Sequence, residues 1–220
     1  MDLAGYRRVL ERTAAAASRS GRDVTTITVV AVSKGRGVDE IKSLYEAGHR
    51  DFGENRAGEM AEKVVELPGD IRWHFVGSLQ SNKVRSVRSN THLLHSVDRR
   101  SLAKAWVKGI GGPPPVLIQV NIGREEQKGG IDPDRAGELV GEVIELGIEP
   151  QGLMAIPPLG SGPEDSRRFF VDLRELRAEL STESHQLHHL SMGMTNDFEV
   201  AIEEGASIIR VGRAIFEPTH

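Results

Sequence analysis

Hydrophobic and polar positions along the chain follow two alternating patterns. Short runs of β-branched and small apolar residues, too continuous for half-exposed strands, are typical of parallel strands buried on both faces. Between these runs, apolar residues recur every three or four positions, which predicts amphipathic helices. The predicted strands cover residues 27–34, 50–55, 73–78, 92–97, 116–122, 151–156, 186–191 and 207–212. A further amphipathic helix over residues 3–20 precedes the first strand.

The alternation of strands and helices over the whole length predicts a parallel sheet. Strand–helix units of about 25 residues fit a single (β/α)8 TIM barrel, with an extra N-terminal helix, as one domain over residues 1–220. The alternative is a doubly wound open sheet. The turn Gly35-Arg36-Gly37 after the first strand disfavours it, because the third glycine of a dinucleotide-binding turn is missing.

Composition and charge narrow the range of partners. The 28 basic and 32 acidic residues give a formal net charge of -4, which provides no reason to expect nucleic acid or an anionic membrane as a partner. Because cysteine is absent, disulfides, thiolate catalysis and cysteine-based metal sites are excluded. No stretch reaches the roughly 18 apolar residues of a membrane span, and the N-terminus lacks an apolar secretory core. We therefore expect a cytoplasmic protein, with a small anion as a compatible ligand.

The ends of the predicted strands supply a candidate site. In a barrel the carboxyl ends of all strands meet at one rim, where functional residues collect. The residues at these ends are Lys34, Asn55, His74 to Ser78, Asn121, Met154, Ser191 and Arg210 to Arg213. They include an amine, two amides and a guanidinium but no pair of carboxylates.

Lys34 is the candidate for covalent chemistry. An ammonium at the end of a buried strand loses solvation, which favours the neutral, nucleophilic amine that forms Schiff bases. The competing interpretation is a lysine that only extends its charge into solvent. The turns 191–195 and 211–214 are rich in small residues with free N–H groups, and barrels commonly bind phosphate at these positions.

Six ordered segments across nearly the whole chain resemble the pyridoxal phosphate homeostasis proteins, which share a barrel with the N-terminal domain of alanine racemase. The segments are AVSK (31–34), FGEN (52–55), WHFVGSLQSNK (73–83), GLMAIP (152–157), LSMGMTND (190–197) and VGRAIF (211–216). The resemblance implies that pyridoxal phosphate (PLP) is the cofactor. It implies these binding roles: Lys34 as the aldimine lysine, Arg210 at the pyridine nitrogen, Met154 and Asn55 around the ring, and Ser191, Gly212 and Arg213 at the phosphate.

The chain departs from the family pattern at three positions. Arg213 stands where a small hydroxyl residue is most common, so it either reaches the phosphate or turns outward. Arg56 replaces a frequent aromatic residue, and Gly129 replaces a common serine in the glycine-flanked loop 123–130. None of these changes affects the lysine of the aldimine.

The resemblance implies a role in intracellular PLP homeostasis, by buffering or delivery, without enzymatic activity. A guanidinium cannot accept a proton, so Arg210 would keep the pyridine nitrogen unprotonated and the ring a poor electron sink. The chain ends at His220, without the second domain that supplies a catalytic tyrosine in alanine racemases, and its own Tyr6 and Tyr45 lie on predicted helices. We expect a monomer or weak dimer, with apo-forms of PLP enzymes as the partners that delivery implies.

The sequence leaves three alternative functions open. A PLP-dependent amino-acid racemase or related enzyme would need a second proton-transfer group, for which His74 and Lys128 are the candidates. A class I aldolase would also use a strand-end lysine, but it would need a nearby carboxylate. A metal site built from His185, His188 and His189 is disfavoured, because adjacent strand residues point to opposite faces.

Overall fold

Eight parallel strands close into a barrel in the computed structural model, which describes residues 2–160 and 162–217. Each strand pairs with the next in the chain, and β8 pairs with β1. The strands are β1 (Thr28–Val32), β2 (Asp51–Glu54), β3 (Arg72–Phe75), β4 (Thr91–Val97), β5 (Val116–Val120), β6 (Pro150–Ala155), β7 (His189–Ser191) and β8 (Ile208–Val211). The predicted TIM barrel is confirmed, and the open-sheet alternative is wrong.

Helices follow the strands and cover the outside of the barrel. They are α1 (Ala4–Arg19), α2 (Val38–Glu46), α3 (Ala57–Glu66), α4 (Val84–Val87), α5 (Arg100–Trp106), α6 (Ala136–Glu145), α7 (Arg167–Leu180), α8 (Phe198–Glu203) and α9 (Arg213–Phe216). No helix of the described residues is long and apolar enough to cross a membrane.

The extra N-terminal helix closes the outer layer where the chain ends meet. α1 packs against α8 and α9 and buries one face that includes Tyr6, Val9 and Ala16. Gly5 permits this close approach, since a Cβ at that position would lie 2.6 Å from the backbone oxygen of Ala214. The helix predicted over residues 3–20 is therefore present as an integral part of the domain.

The barrel has two apolar cores. The larger lies between the strands and the helices, whereas a small inner cluster fills the barrel itself. Alternate residues of each strand point inward, which explains the separation. The inner cluster consists of Val30, Leu93, Leu117, Met154 and Ile208. Buried polar side chains, among them His74, His95, Ser191 and Arg210, occupy other inward positions of the strands.

Two strand boundaries differ from the sequence prediction in ways that affect the site. β1 ends at Val32, so Lys34 lies in the turn that follows instead of in the strand. β7 begins at His189, because residues 186–188 alternate exposed polar residues with the single buried Leu187 and do not pair. The domain predicted over residues 1–220 includes residues 1, 161 and 218–220, which lie outside the described residues.

Candidate functional site

Lys34 lies at the carboxyl edge of the barrel, as its place after β1 predicts, but its side chain is exposed. The expectation of a desolvated amine at the end of a buried strand is therefore wrong. The physical reason is the early end of β1, which leaves Lys34 in a turn whose next residue, Gly35, has a φ of 68°. A reactive role for Lys34 therefore depends on how the neighbouring residues fix its turn, and not on burial of its amine.

Buried charges from α3 and β2 fix the turn that carries Lys34. The ammonium of Lys63 donates to the carbonyl oxygen of Ser33 at 2.8 Å and to Oε1 of Glu54 at 2.6 Å. On the other side of Lys34, the N–H of Gly35 donates to the carboxylate of Glu59. Burial raises the pKa of Glu54, while hydrogen bonds from Lys63 and Ser33 oppose that rise. The residues before and after Lys34 are thus both anchored.

Arg210 is buried one residue before the end of β8, and we call it the floor of the site at the carboxyl ends of the strands. It pairs in register with Val30, four residues before Lys34, and only 4% of it is exposed. Its guanidinium donates from Nη1 to Oγ of Ser191 at 2.6 Å and from Nη2 to the carbonyl oxygen of Ala155 at 3.0 Å. Burial lowers the pKa of Arg210 to about 10 despite the field of Asp197. Both acceptors are neutral, and no carboxylate within residues 2–160 and 162–217 forms an ion pair with it.

A hydrogen-bonded chain continues from Arg210 across the barrel interior. Oγ of Ser191 lies 2.8 Å from Nδ1 of His95, and Nε2 of His95 lies 2.9 Å from Nδ1 of His74. Nε2 of His74 lies 3.1 Å from Oδ1 of Asp51, at the amino end of β2. His95 was not expected from the sequence. The alternation of inward and outward residues along a strand could have indicated it, because His95 lies two residues after the inward-facing Leu93.

The remaining predicted site residues surround this floor. Met154 is buried in the inner cluster and pairs in register with Ser191. Asn55 directly follows β2, and its buried Oδ1 has no hydrogen-bond partner in the part of the chain that the structure describes. Gly212 and Arg213 follow β8, and Arg213 is the exposed first residue of α9. The structure therefore brings Ser191, Arg210 and Met154 together, with Lys34 and Arg213 at the edge.

Comparison with known proteins identifies the family. The family model described as "Alanine racemase, N-terminal domain" matches residues 6–219. The pyridoxal phosphate homeostasis protein of Aquifex aeolicus is 44% identical over 217 residues, covering 95% of this chain and 94% of the relative. The chain belongs to the pyridoxal phosphate homeostasis protein family. The resemblance seen in the sequence is confirmed.

Further members of the pyridoxal phosphate homeostasis protein family support the assignment. The member from Pseudomonas aeruginosa is 38% identical over 214 residues, covering 95% of this chain and 92% of the relative. The structure of PipY from Synechococcus elongatus with PLP bound superposes with a TM-score of 0.79 at 34% identity, covering 94% of this chain and 99% of that chain.

The two tyrosines of this family member lie away from Lys34 and Arg210. The hydroxyl of Tyr6 is 3.3 Å from His49, just before β2, and that of Tyr45 donates to Asp70, just before β3. Both tyrosines thus lie toward the amino ends of the strands.

Among the described residues, no group of three His, Asp or Glu side chains could hold a metal ion. The metal alternative is therefore unsupported by the geometry.

Proposed function

We propose that this protein binds PLP at the carboxyl-end opening of its barrel and serves PLP homeostasis by holding and releasing the cofactor. The names of its relatives and the PLP bound to PipY support the proposal. The observation that carries it is Arg210, a buried guanidinium whose hydrogen-bond partners among the described residues are all neutral. A buried cation of this kind is suited to a ligand that contributes lone pairs or negative charge.

The residues at the opening fit the cofactor. Lys34 offers an exposed primary amine in an anchored turn, and Oδ1 of Asn55, which has no hydrogen-bond partner among the described residues, offers a buried acceptor at the end of the neighbouring strand β2. Bound PLP supplies an aldehyde that condenses with an amine and releases water. We assign the covalent attachment to Nζ of Lys34, the pyridine-nitrogen contact to Arg210, ring contacts to Met154 and Asn55, and phosphate contacts at the loops of Ser191, Gly212 and Arg213.

Arg210 favours storage of the cofactor over catalysis with it. Guanidinium groups donate hydrogen bonds and do not accept protons, so Arg210 in this position stabilises an unprotonated pyridine nitrogen. An unprotonated ring is a weaker electron sink, which disfavours carbanion chemistry. Delivery to apo-forms of PLP enzymes, by a monomer or weak dimer, is the activity that we infer in its place.

The two candidates for the second proton-transfer group of a racemase, His74 and Lys128, both have partners among the described residues. His74 is buried and bonded to His95 and Asp51. Lys128 donates to the carbonyl oxygen of Pro157 at 2.9 Å and pairs with Glu125. Each candidate is therefore already engaged within the fold, which supports a role without turnover.

Two measurements test the proposal. The purified protein mixed with PLP should develop the visible absorbance of lysine-bound PLP, and borohydride reduction followed by peptide mapping should place the cofactor on Lys34. The loaded protein is then incubated with L- and D-alanine in deuterated water while α-proton exchange is followed. We expect no exchange near the enzymatic scale of about one per second. Exchange at that rate, lost in Lys34→Ala, would restore the racemase alternative.

A further inference from the structure

With Asp51 ionised and both histidines neutral, the chain from Arg210 to Asp51 has only one arrangement of protons that satisfies all its members. Arg210 has no acceptor atom, so Oγ of Ser191 accepts from it. Oγ of Ser191 could accept a second hydrogen bond, so its bond to Nδ1 of His95 is fixed from the other end of the chain. The Asp51 carboxylate can only accept, so neutral His74 donates to it from Nε2 and accepts at Nδ1 from Nε2 of His95, which leaves Nδ1 of His95 as an acceptor. His95 therefore presents an unprotonated Nδ1 toward Ser191. In its neutral form it carries its proton on Nε2.

The same logic fixes the next two bonds. The Nε2–H of His95 donates to Nδ1 of His74, and the Nε2–H of His74 donates to Oδ1 of Asp51. Asp51 also accepts from the guanidinium of Arg72. All donors consequently point in one direction, from the Arg210 cation at the opening to the Asp51 anion at the amino end of the barrel.

A neutral His95 is what its surroundings favour. Burial lowers the pKa of His95 well below its usual range, and the charge of Arg210 acts in the same direction. Burial opposes ionisation of Asp51, but hydrogen bonds from His74 and Arg72 outweigh it and hold the pKa of that carboxyl well below its usual value. The two ends of the chain therefore keep opposite charges.

We propose that His95 and His74 are positioning residues, which hold the Ser191 hydroxyl toward His95 and so fix the Arg210 guanidinium at the floor of the site. The inference rests on the proposed PLP site for its functional meaning. It also revises the role of Ser191. A hydroxyl whose single proton is donated to His95 cannot donate that proton to a phosphate, so the phosphate would depend on the other groups of the Ser191 loop and of the Gly212–Arg213 loop.

The chain itself is tested on the protein without cofactor. In protein labelled with ¹⁵N-histidine, two-bond ¹H–¹⁵N correlations distinguish the two ring tautomers, and single His→Gln variants assign the signals. We expect the Nε2–H tautomer for both His95 and His74 near neutral pH. Ser191→Ala should shift the His95 signals and leave those of the exposed His185 unchanged. A proton on Nδ1 of His95 would overturn the proposal, because the chain would then run in the opposite direction.

The positioning role is tested with PLP. His95→Gln should weaken PLP retention about tenfold, the scale of one lost hydrogen bond that serves a charged group, and should change the pH dependence of the visible absorbance. His49→Gln is the matched control, since His49 is also buried but bonds Tyr6 and the backbone of Asp51. Equal affinity and equal spectra for His95→Gln and wild type would refute positioning. Failure of wild-type protein to bind PLP would refute the proposed function and leave the tautomer result standing.

Discussion

The ammonium of Lys63 lies 2.6 Å from Oε1 of Glu54, and the two side chains are 7% and 0% exposed. The same ammonium holds the carbonyl oxygen of Ser33, which immediately precedes Lys34. A buried ion pair of this kind stabilises only while both charges and their hydrogen bonds are present. The pair therefore links the stability of the barrel to the position of the lysine that we assign to the cofactor.

Replacing Lys63 by Met should destabilise the protein by about 3–5 kcal/mol, because it leaves the Glu54 carboxylate buried without its cation. Urea unfolding measures the change. The double variant Glu54→Gln/Lys63→Met removes both charges and should regain a large part of the lost stability. If the single and double variants unfold at the same urea concentration, the ion pair does not control stability.

The sequence predicts the barrel well because each strand is buried on both faces, which leaves an almost continuous apolar run such as 116–122. It places the start of β7 three residues too early, because only three residues pair there and the preceding residues are mostly polar and exposed. The sequence places Lys34 at the correct edge of the barrel. It does not predict the contacts that fix the turn of Lys34, because Glu54 and Lys63 lie on later elements. His95 was missed for the same reason. Its partners Ser191 and His74 are known only once the barrel closes.

Lys34→Ala should abolish covalent attachment of PLP while leaving the free energy of unfolding within about 0.5 kcal/mol of wild type, since Lys34 is exposed. Visible absorbance after addition of PLP, together with urea unfolding, measures both effects. Lys104→Ala, an exposed lysine on α5, is the matched control and should bind like wild type. Retained covalent PLP in Lys34→Ala would move the attachment to another lysine.

Arg213→Gln should weaken binding of PLP about fivefold, the scale of one exposed ionic contact. Binding of pyridoxal, which has the same ring and aldehyde but no phosphate, should not change. Titrations of both ligands at low and high salt measure the difference, and the loss for PLP should shrink as salt screens the charge. An equal loss for the two ligands would show that Arg213 acts on the fold and not on the phosphate.

Buried histidines make the stability of the barrel depend on pH. The pKa values of His49, His95 and His189 are lowered, in each case chiefly by burial. Below the ordinary histidine pKa of 6.5, the unfolded chain therefore binds more protons than the folded one. The contribution of these histidines to the free energy of unfolding should be fully present above the ordinary histidine pKa. It should be lost as the pH falls from there toward their lowered pKa values in the folded protein.

Unfolding in urea at about pH 7.5 and at about pH 5.0 measures this loss for wild type and for His95→Gln. The variant lacks one of the groups that must stay neutral, so it should be less stable than wild type at the higher pH but lose less stability on acidification. Asp51 does not contribute in this window. Burial raises its pKa, but its bonds to His74 and Arg72 outweigh burial and leave the pKa below the ordinary 3.8, so its share is lost only in stronger acid. Parallel pH dependences for the two proteins would mean that His95 titrates in the fold as it does in the unfolded chain, and the directed chain to Arg210 would then lose its physical basis.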